Sequence, residues 1–155
     1  MSKAYPFLGN FKVTSLYGNR AAFQTSGGKS STDHRGLDLA AIDNKNIVSC
    51  TSGVVLDVGF TKARGNYVLV RGYDGFSCIY QHLSSTSVKK GDQVVTKQKL
   101  GVQGQTGNAA GSHLHLEIGY GETTGQVYNN TVNPADYLGM QNVSTLVGKT
   151  FNGNG

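Results

Sequence analysis

Apolar and polar residues alternate with a period of two along several short stretches of this chain, most regularly in Ser112-His113-Leu114-His115-Leu116-Glu117-Ile118. Successive side chains of a β-strand face opposite ways. Leu114, Leu116 and Ile118 are therefore expected to enter a core, and His113, His115 and Glu117 to share the other face. β-Branched and apolar runs at 47–50, 53–58, 66–71 and 76–83 predict further strands, with 92–95 a short one. Tyr73-Asp74-Gly75-Phe76 carries an Asp-Gly hairpin signal. Residues 5–20 read as an extended entry ending in a turn, and polar, small-residue stretches at 21–33, 84–91, 105–112 and 119–130 as loops. Asn133-Pro134 opens one short helical turn, and everything past Gly139 is expected to be a loosely held tail. With no heptad pattern, repeat or long amphipathic helix, the chain reads as all-β, built of antiparallel sheets with very little helix.

Composition narrows this reading. At 155 residues and 37% hydrophobic, the chain is long enough for one domain with a real core. Its 22 glycines are scattered, which suits many tight turns. The domain is placed at 1–139 and the tail at 140–155. A net charge of +5 and a pI near 9.3 would suit nucleic acid, an anionic membrane or an anionic polymer such as a bacterial cell wall. The basic residues form no block, so nucleic acid is not expected as a partner. No apolar run reaches the ~18 residues of a membrane span. Met-Ser-Lys-Ala-Tyr-Pro is no signal peptide, so an extracellular or cell-wall location implies another export route, delivery by a phage lysis system or excision from a precursor. Cys50 and Cys78 belong to no CxxC pattern, which argues against a thiolate metal site; a disulfide and two buried thiols both remain open.

The chemistry lies in the histidines, of which there are four. His34 and Asp38 are four apart and converge on one side of either a helix or an extended chain. A neutral imidazole and a carboxylate suit zinc, and a catalytic zinc takes three protein ligands and one open position. Either member of the His113/His115 pair could be the third ligand. Positions two apart on a strand lie roughly 6.5–7 Å apart, which suits one ligand and one neighbour aimed at the reacting water. His82, in Tyr80-Gln81-His82-Leu83, falls at a strand end where a catalytic group would sit.

His34-Arg35-Gly36-Leu37-Asp38 resembles the HxxxD signature of the lysostaphin-type zinc metalloendopeptidases. Tyr80-Gln81-His82-Leu83 resembles their YxHL, and the stretch from Thr106 to Glu117 their TGxxxGxHLHxE. Tyr17-Gly18-Asn19-Arg20, Val88-Lys89-Lys90-Gly91-Asp92-Gln93-Val94, Leu100-Gly101 and Pro134 to Leu138 match connecting motifs in order. Ser112 stands where the family usually has proline, and Leu116 where it has an aromatic. The resemblance implies a small antiparallel β domain with a loop-lined groove and one zinc ion per chain. It implies His34, Asp38 and His115 as metal ligands, with His82 and His113 as catalytic residues.

The activity so implied is hydrolysis of peptide bonds in peptidoglycan, in its stem or its cross-bridge, by a zinc-activated water. There is no HExxH glutamate, so His82 and His113 are the groups left to handle the proton and the oxyanion. Glu117 is either a partner to the pair or an ordinary exposed strand residue. Tyr80, on the face of His82 by alternation, either donates to the oxyanion or packs. Arg35 and Asp33 read as structural or solvated. Small residues in loops 24–32 and 104–112 suit a narrow groove for glycine-rich bridges or D-alanine linkages. The positive charge suits salt-sensitive adhesion to anionic wall polymers, and the chain is expected to act as a monomer. Activity is expected to fall below about pH 6.5, where free imidazole protonates. A non-catalytic wall-binding or amidase-activating module on the same fold would be expected to lack ligands that are intact here. A D,D-peptidase of the other HxH-bearing zinc fold would need a wider spacing than His34 to Asp38 gives.

Overall fold

The computed structural model describes residues 3–19, 24–25, 28–29, 33–140 and 147–153. The first half of the chain holds β1 (Phe11–Ser15), β2 (Gly18–Asn19), β3 (Gln24–Thr25), β4 (Gly28–Lys29), β5 (Asp33–His34), β6 (Leu37–Ala41), β7 (Asn46–Val48), β8 (Gly53–Thr61) and β9 (Gly65–Gly72). The second half holds β10 (Ser77–Thr86), β11 (Gln93–Val94), β12 (Lys99–Gln103), β13 (Leu114–Gly119), β14 (Thr131–Val132) and β15 (Thr150–Phe151). The helices are short: α1 (Thr124–Tyr128) and α2 (Pro134–Tyr137). The named strands pair antiparallel, and the main sheet runs β11-β8-β9-β10-β13-β6-β1-β15, with β12 joining β10 to β7 and β14 edging β13. The all-β reading holds.

Alternation along the central strands divides the sheet into two faces. Leu37 and Leu39 of β6, Val68 and Val70 of β9, Cys78 and Tyr80 of β10, and Leu114, Leu116 and Ile118 of β13 all enter the main core. Their neighbours Leu69 and Ile79 point the other way and meet Tyr67 and Val127 in a smaller cluster. Ile79 is registered opposite Glu117, and Gln81 opposite His115. The small cluster therefore shares its face with the polar residues of β13, and Val127 brings α1 down beside them.

Three local expectations change, and one alternative left open is resolved. Strand β10 continues to Thr86 because it leaves β9 and β13 near Leu83 and pairs β12 instead, so residues 84–86 are not loop. The stretch 119–130 contains α1, whose Thr123 hydroxyl accepts from the Gln126 amide at 3.1 Å; a Thr-x-x-Gln start is a helix signal that the flanking glycines obscure. The end of the chain is not loose throughout. Phe151 pairs with Phe11 in register and stacks on its ring at 5.7 Å, and Met140 is buried. Finally, Cys50 and Cys78 are both free, buried thiols. Most of the 24–32 loop lies outside the described residues.

Candidate metal centre

Two of the five polar residues expected at the site are brought together by strand register alone. His115 of β13 is directly opposite Asp38 of β6, so both side chains rise from the same face. The chain reaches Asp38 through Gly36, where a Cβ would lie 2.6 Å from His115 Nε2 and 2.7 Å from the Leu116 carbonyl oxygen. Only glycine allows β5 and β6 to pass this close to β13. His34 on β5 is thereby placed over the pair, with its Nε2 3.2 Å from Asp38 Oδ1 and 3.2 Å from His115 Nδ1. The third edge of the triangle, His115 Nδ1 to Asp38 Oδ1, is 3.0 Å.

Each of the four imidazoles is held at one nitrogen by an oxygen that can only accept. His34 Nδ1 donates to the Leu16 carbonyl at 2.6 Å, His82 Nδ1 to Thr106 O at 2.7 Å and His113 Nδ1 to Gly111 O at 2.9 Å. His115 is held through Nε2, 3.0 Å from the Glu117 carboxylate. A neutral ring so held has its lone pair on the other nitrogen. With both rings neutral, His34 Nε2, His115 Nδ1 and Asp38 Oδ1 are three acceptors facing one point, and without a cation there a proton on His115 Nδ1 bridges to Asp38 Oδ1 at 3.0 Å. Such an arrangement calls for a cation. Zinc binds N and O donors at about 2.0–2.2 Å in tetrahedral array, which spaces them by roughly 3.3–3.6 Å; the observed edges fall within a few tenths of an ångström of that. These three residues fit the metal in chemistry and in size.

The other two histidines sit at the rim. His113 Nε2 is 3.6 Å from Asp38 Oδ1, and the His82 ring centroid is 4.9 Å from that of His113 and 6.0 Å from that of His115. His82 arrives there by a break in the strand. Its φ is +66°, its amide donates to the Arg64 carbonyl at 2.8 Å, and the β10 register shifts between Tyr80 and Leu83. The left-handed residue turns His82 onto the face of Gln81 and His115.

The same break corrects the reading of Tyr80. Opposite Leu116 in register, it is fully buried in the main core, and its hydroxyl accepts from the Cys50 amide at 2.9 Å. It offers no donor to an oxyanion. Glu117 is not an exposed strand residue either; it is 3% exposed and takes His115 Nε2–H and Gln81 Nε2 (2.7 Å) on one oxygen. Arg35 supports the wall, donating to Tyr128 O at 2.9 Å with its guanidinium 4.7 Å from that ring. The Asp33 side chain lies outside the described residues. Sequence reasoning missed Gln81 and Arg64, because neither stands in a metal-binding pattern; the register of β10 against β13 is what reveals the first.

Electrostatics follow the contacts. Burial favours the neutral acid of Asp38, but hydrogen bonds and charge from His115 and His34 prevail and hold it well below the usual carboxylate range. Burial likewise opposes the charged forms of Glu117 and His115. In Glu117 the contacts to His115, Arg64 and Gln81 prevail and lower it. In His115 the two carboxylates prevail and raise it to about 9. In His82 burial and the positive potential of His115 and His113 outweigh the Thr106 carbonyl and the more distant Asp38 charge, and it is lowered to about 4.

Comparison with known proteins agrees with the fold and the motifs. The model of Peptidase family M23 matches residues 32–134, and the chain belongs to that family. It is 31% identical over 114 residues to the peptidoglycan DD-endopeptidase ShyA of Vibrio cholerae, a match taking in 74% of this chain and 26% of that protein. Among solved structures, the catalytic domain of the antimicrobial peptidase lysostaphin from Staphylococcus simulans superposes with a TM-score of 0.71 at 26% identity, covering 83% of this chain and 92% of that one. A chain of the SpoIIIAH–SpoIIQ complex superposes with a TM-score of 0.69 at 27% identity, covering 88% and 99%. The chain spans about a quarter to a third of the length of its first curated relatives. Among the described residues no helix is long and apolar enough to cross a membrane.

Proposed function

We propose that this chain is a zinc-dependent endopeptidase that hydrolyses peptide bonds of bacterial peptidoglycan, in the stem or the cross-bridge. The carrying observation is the triangle of lone pairs from His34, Asp38 and His115, with two further histidines at its rim. A zinc ion held there supplies Lewis-acid chemistry, polarising the scissile carbonyl and lowering the pKa of a water toward 7. His82 and His113 act on that water. Each has Nδ1–H fixed by a backbone carbonyl, so each offers Nε2 as a proton acceptor or, once protonated, as a donor. Water adds to the carbonyl carbon while one imidazole takes its proton. The other, carrying a proton on Nε2 as an imidazolium, steadies the developing oxyanion. The carbon–nitrogen bond then breaks as the proton passes to the amine, leaving a carboxylate and an amine. His82 suits the acceptor role because its burial keeps it neutral down to about pH 4.

The relatives support the substrate class, since ShyA is named a peptidoglycan DD-endopeptidase and lysostaphin an antimicrobial peptidase. Its site of action would be the cell wall, reached by secretion or as a phage-delivered lysin. The net charge of +5 favours adhesion to anionic wall polymers at low salt. Zinc content and turbidity loss of purified walls, compared between wild type and His115→Ala, test the proposal. Stoichiometric zinc with wall cleavage in the wild type alone is the expected result. Folded wild-type protein that takes up no zinc, or that carries zinc and cleaves no wall chemotype, would overturn it. Mass spectrometry of the products names the bond.

A further inference from the structure

Only two buried side-chain polar atoms among the described residues lack a hydrogen-bond partner, Glu117 Oε1 and Arg64 Nε, and they belong to neighbouring side chains. Arg64 Nη2 is 3.7 Å from Glu117 Oε1. The other carboxylate oxygen, Oε2, already takes both His115 Nε2–H and Gln81 Nε2. Two donors on one oxygen leave the carboxylate free to pivot about that point. A cation at Oε1 stops the pivot, and Arg64 is the residue placed there. The same Nη2 donates to Thr124 O at 3.4 Å, and the Tyr128 ring centroid is 5.8 Å from the guanidinium carbon. The Arg64 main chain is fixed by the hydrogen bonds from Arg64 N to Thr61 Oγ1 and from His82 N to Arg64 O.

We propose that Arg64 is a positioning residue: its guanidinium locks Glu117, and Glu117 in turn holds the His115 ring with Nδ1 turned toward the metal. The inference rests on the metal-site reading above and deepens it. It places the hairpin between β8 and β9, which contains none of the family motifs, in control of a ligand on β13.

Arg64→Met keeps the length of the side chain and removes its charge and donors; Arg64→Lys returns a single cationic donor. Zinc affinity is read by competition with a chromophoric chelator at one fixed pH. The exchange of the His115 Nε2–H proton with water is read by NMR on ¹⁵N-labelled protein, with and without zinc. Arg64→Met is expected to weaken zinc binding by about tenfold or more, as loss of a group supporting a ligand typically does, and to speed the exchange. Arg64→Lys is expected to restore most of both, and Arg64→Met is expected to add nothing in a Glu117→Gln background. Native affinity and slow exchange in folded Arg64→Met, or an equal loss with and without Glu117, would overturn the inference. If Arg64→Met does not fold, Arg64→Gln, which removes the charge and keeps a donor, decides: a native backbone spectrum with slow exchange of the His115 proton overturns the inference, and fast exchange upholds it. A wild type that binds no zinc would defeat the metal-site reading alone, because proton exchange in the metal-free chain still tests Arg64.

Discussion

The two sides of the site are built by opposite means. On one side Asp38 and His115 ride a regular antiparallel ladder, opposed in register, with His34 folded over them past Gly36. On the other, His82 and His113 occupy places where the ladder is interrupted. His82 has φ +66°, and His113 makes only an isolated bridge to Gly104. Regular pairing repeats a fixed spacing and suits donors that must stay a set distance apart. A break can aim a side chain where the pleat would not, which suits groups that must face a reacting atom.

The sharpest way to test that division is to substitute each side in turn. Asp38→Ala is expected to abolish zinc retention and wall lysis together. His82→Ala and His113→Ala are expected to keep zinc and lose about 10²–10⁴-fold in kcat, measured as zinc per chain against turbidity rate. Loss of zinc in the His82 variant would erase the distinction.

Next in size is Gly36→Ala. Its new methyl must displace the His115 ring or the Leu116 carbonyl, so zinc affinity is expected to fall by about 10–100-fold. Stability should fall by about 1–3 kcal/mol, read from a denaturant midpoint.

Protonation gives a graded effect on the ladder side. Without metal, burial of His115 is outweighed by the Asp38 and Glu117 carboxylates, which raise it to about 9, so a zinc ion binding there would have to displace a proton from it at lower pH. Apparent zinc affinity is then expected to fall by about tenfold per pH unit below 9, a competition that begins well above the 6.5 of free imidazole. The sign reverses for the metal-free fold. His115 is raised, so its contribution to stability is complete below about pH 6.5 and lost as pH rises through about 9. Asp38 and Glu117 are lowered, so theirs is complete above the ordinary carboxylate range and lost in acid. Melting temperatures with chelator should therefore be higher at pH 6 than at pH 9.5.

The smallest effect isolates the break itself. Asn tolerates a left-handed backbone and a β-branched residue does not, so His82→Val should be less stable than His82→Asn by about 1–2 kcal/mol. Equal denaturant midpoints would mean that the conformation at 82 carries no constraint.

The ladder side was largely legible in the chain. Alternation in 113–118 placed Leu114, Leu116 and Ile118 inward and His115 and Glu117 outward, and the His34–Asp38 spacing brought a carboxylate and an imidazole together. The broken side was legible in its residues, His82 and His113, but not in its geometry. Alternation paired Tyr80 with His82, and a single positive φ, which no residue pattern announces, separates them by a whole sheet. The Glu117–Arg64 contact was hidden for a different reason: it joins residues far apart in sequence through a hairpin whose composition reads as ordinary turn. Phe151 on Phe11 escaped because one aromatic among glycines and asparagines gives no periodicity.

The acceptors that fix the four imidazoles have a bearing on how the site tolerates sequence drift. Three of them, at Leu16, Thr106 and Gly111, are main-chain carbonyls, present whatever side chain stands at those positions. Substitutions there can accumulate without disturbing the tautomers of His34, His82 and His113, provided the backbone path survives. His115 alone depends on a side-chain acceptor, and it inherits every mutational hazard of Glu117 and of the residues that hold it.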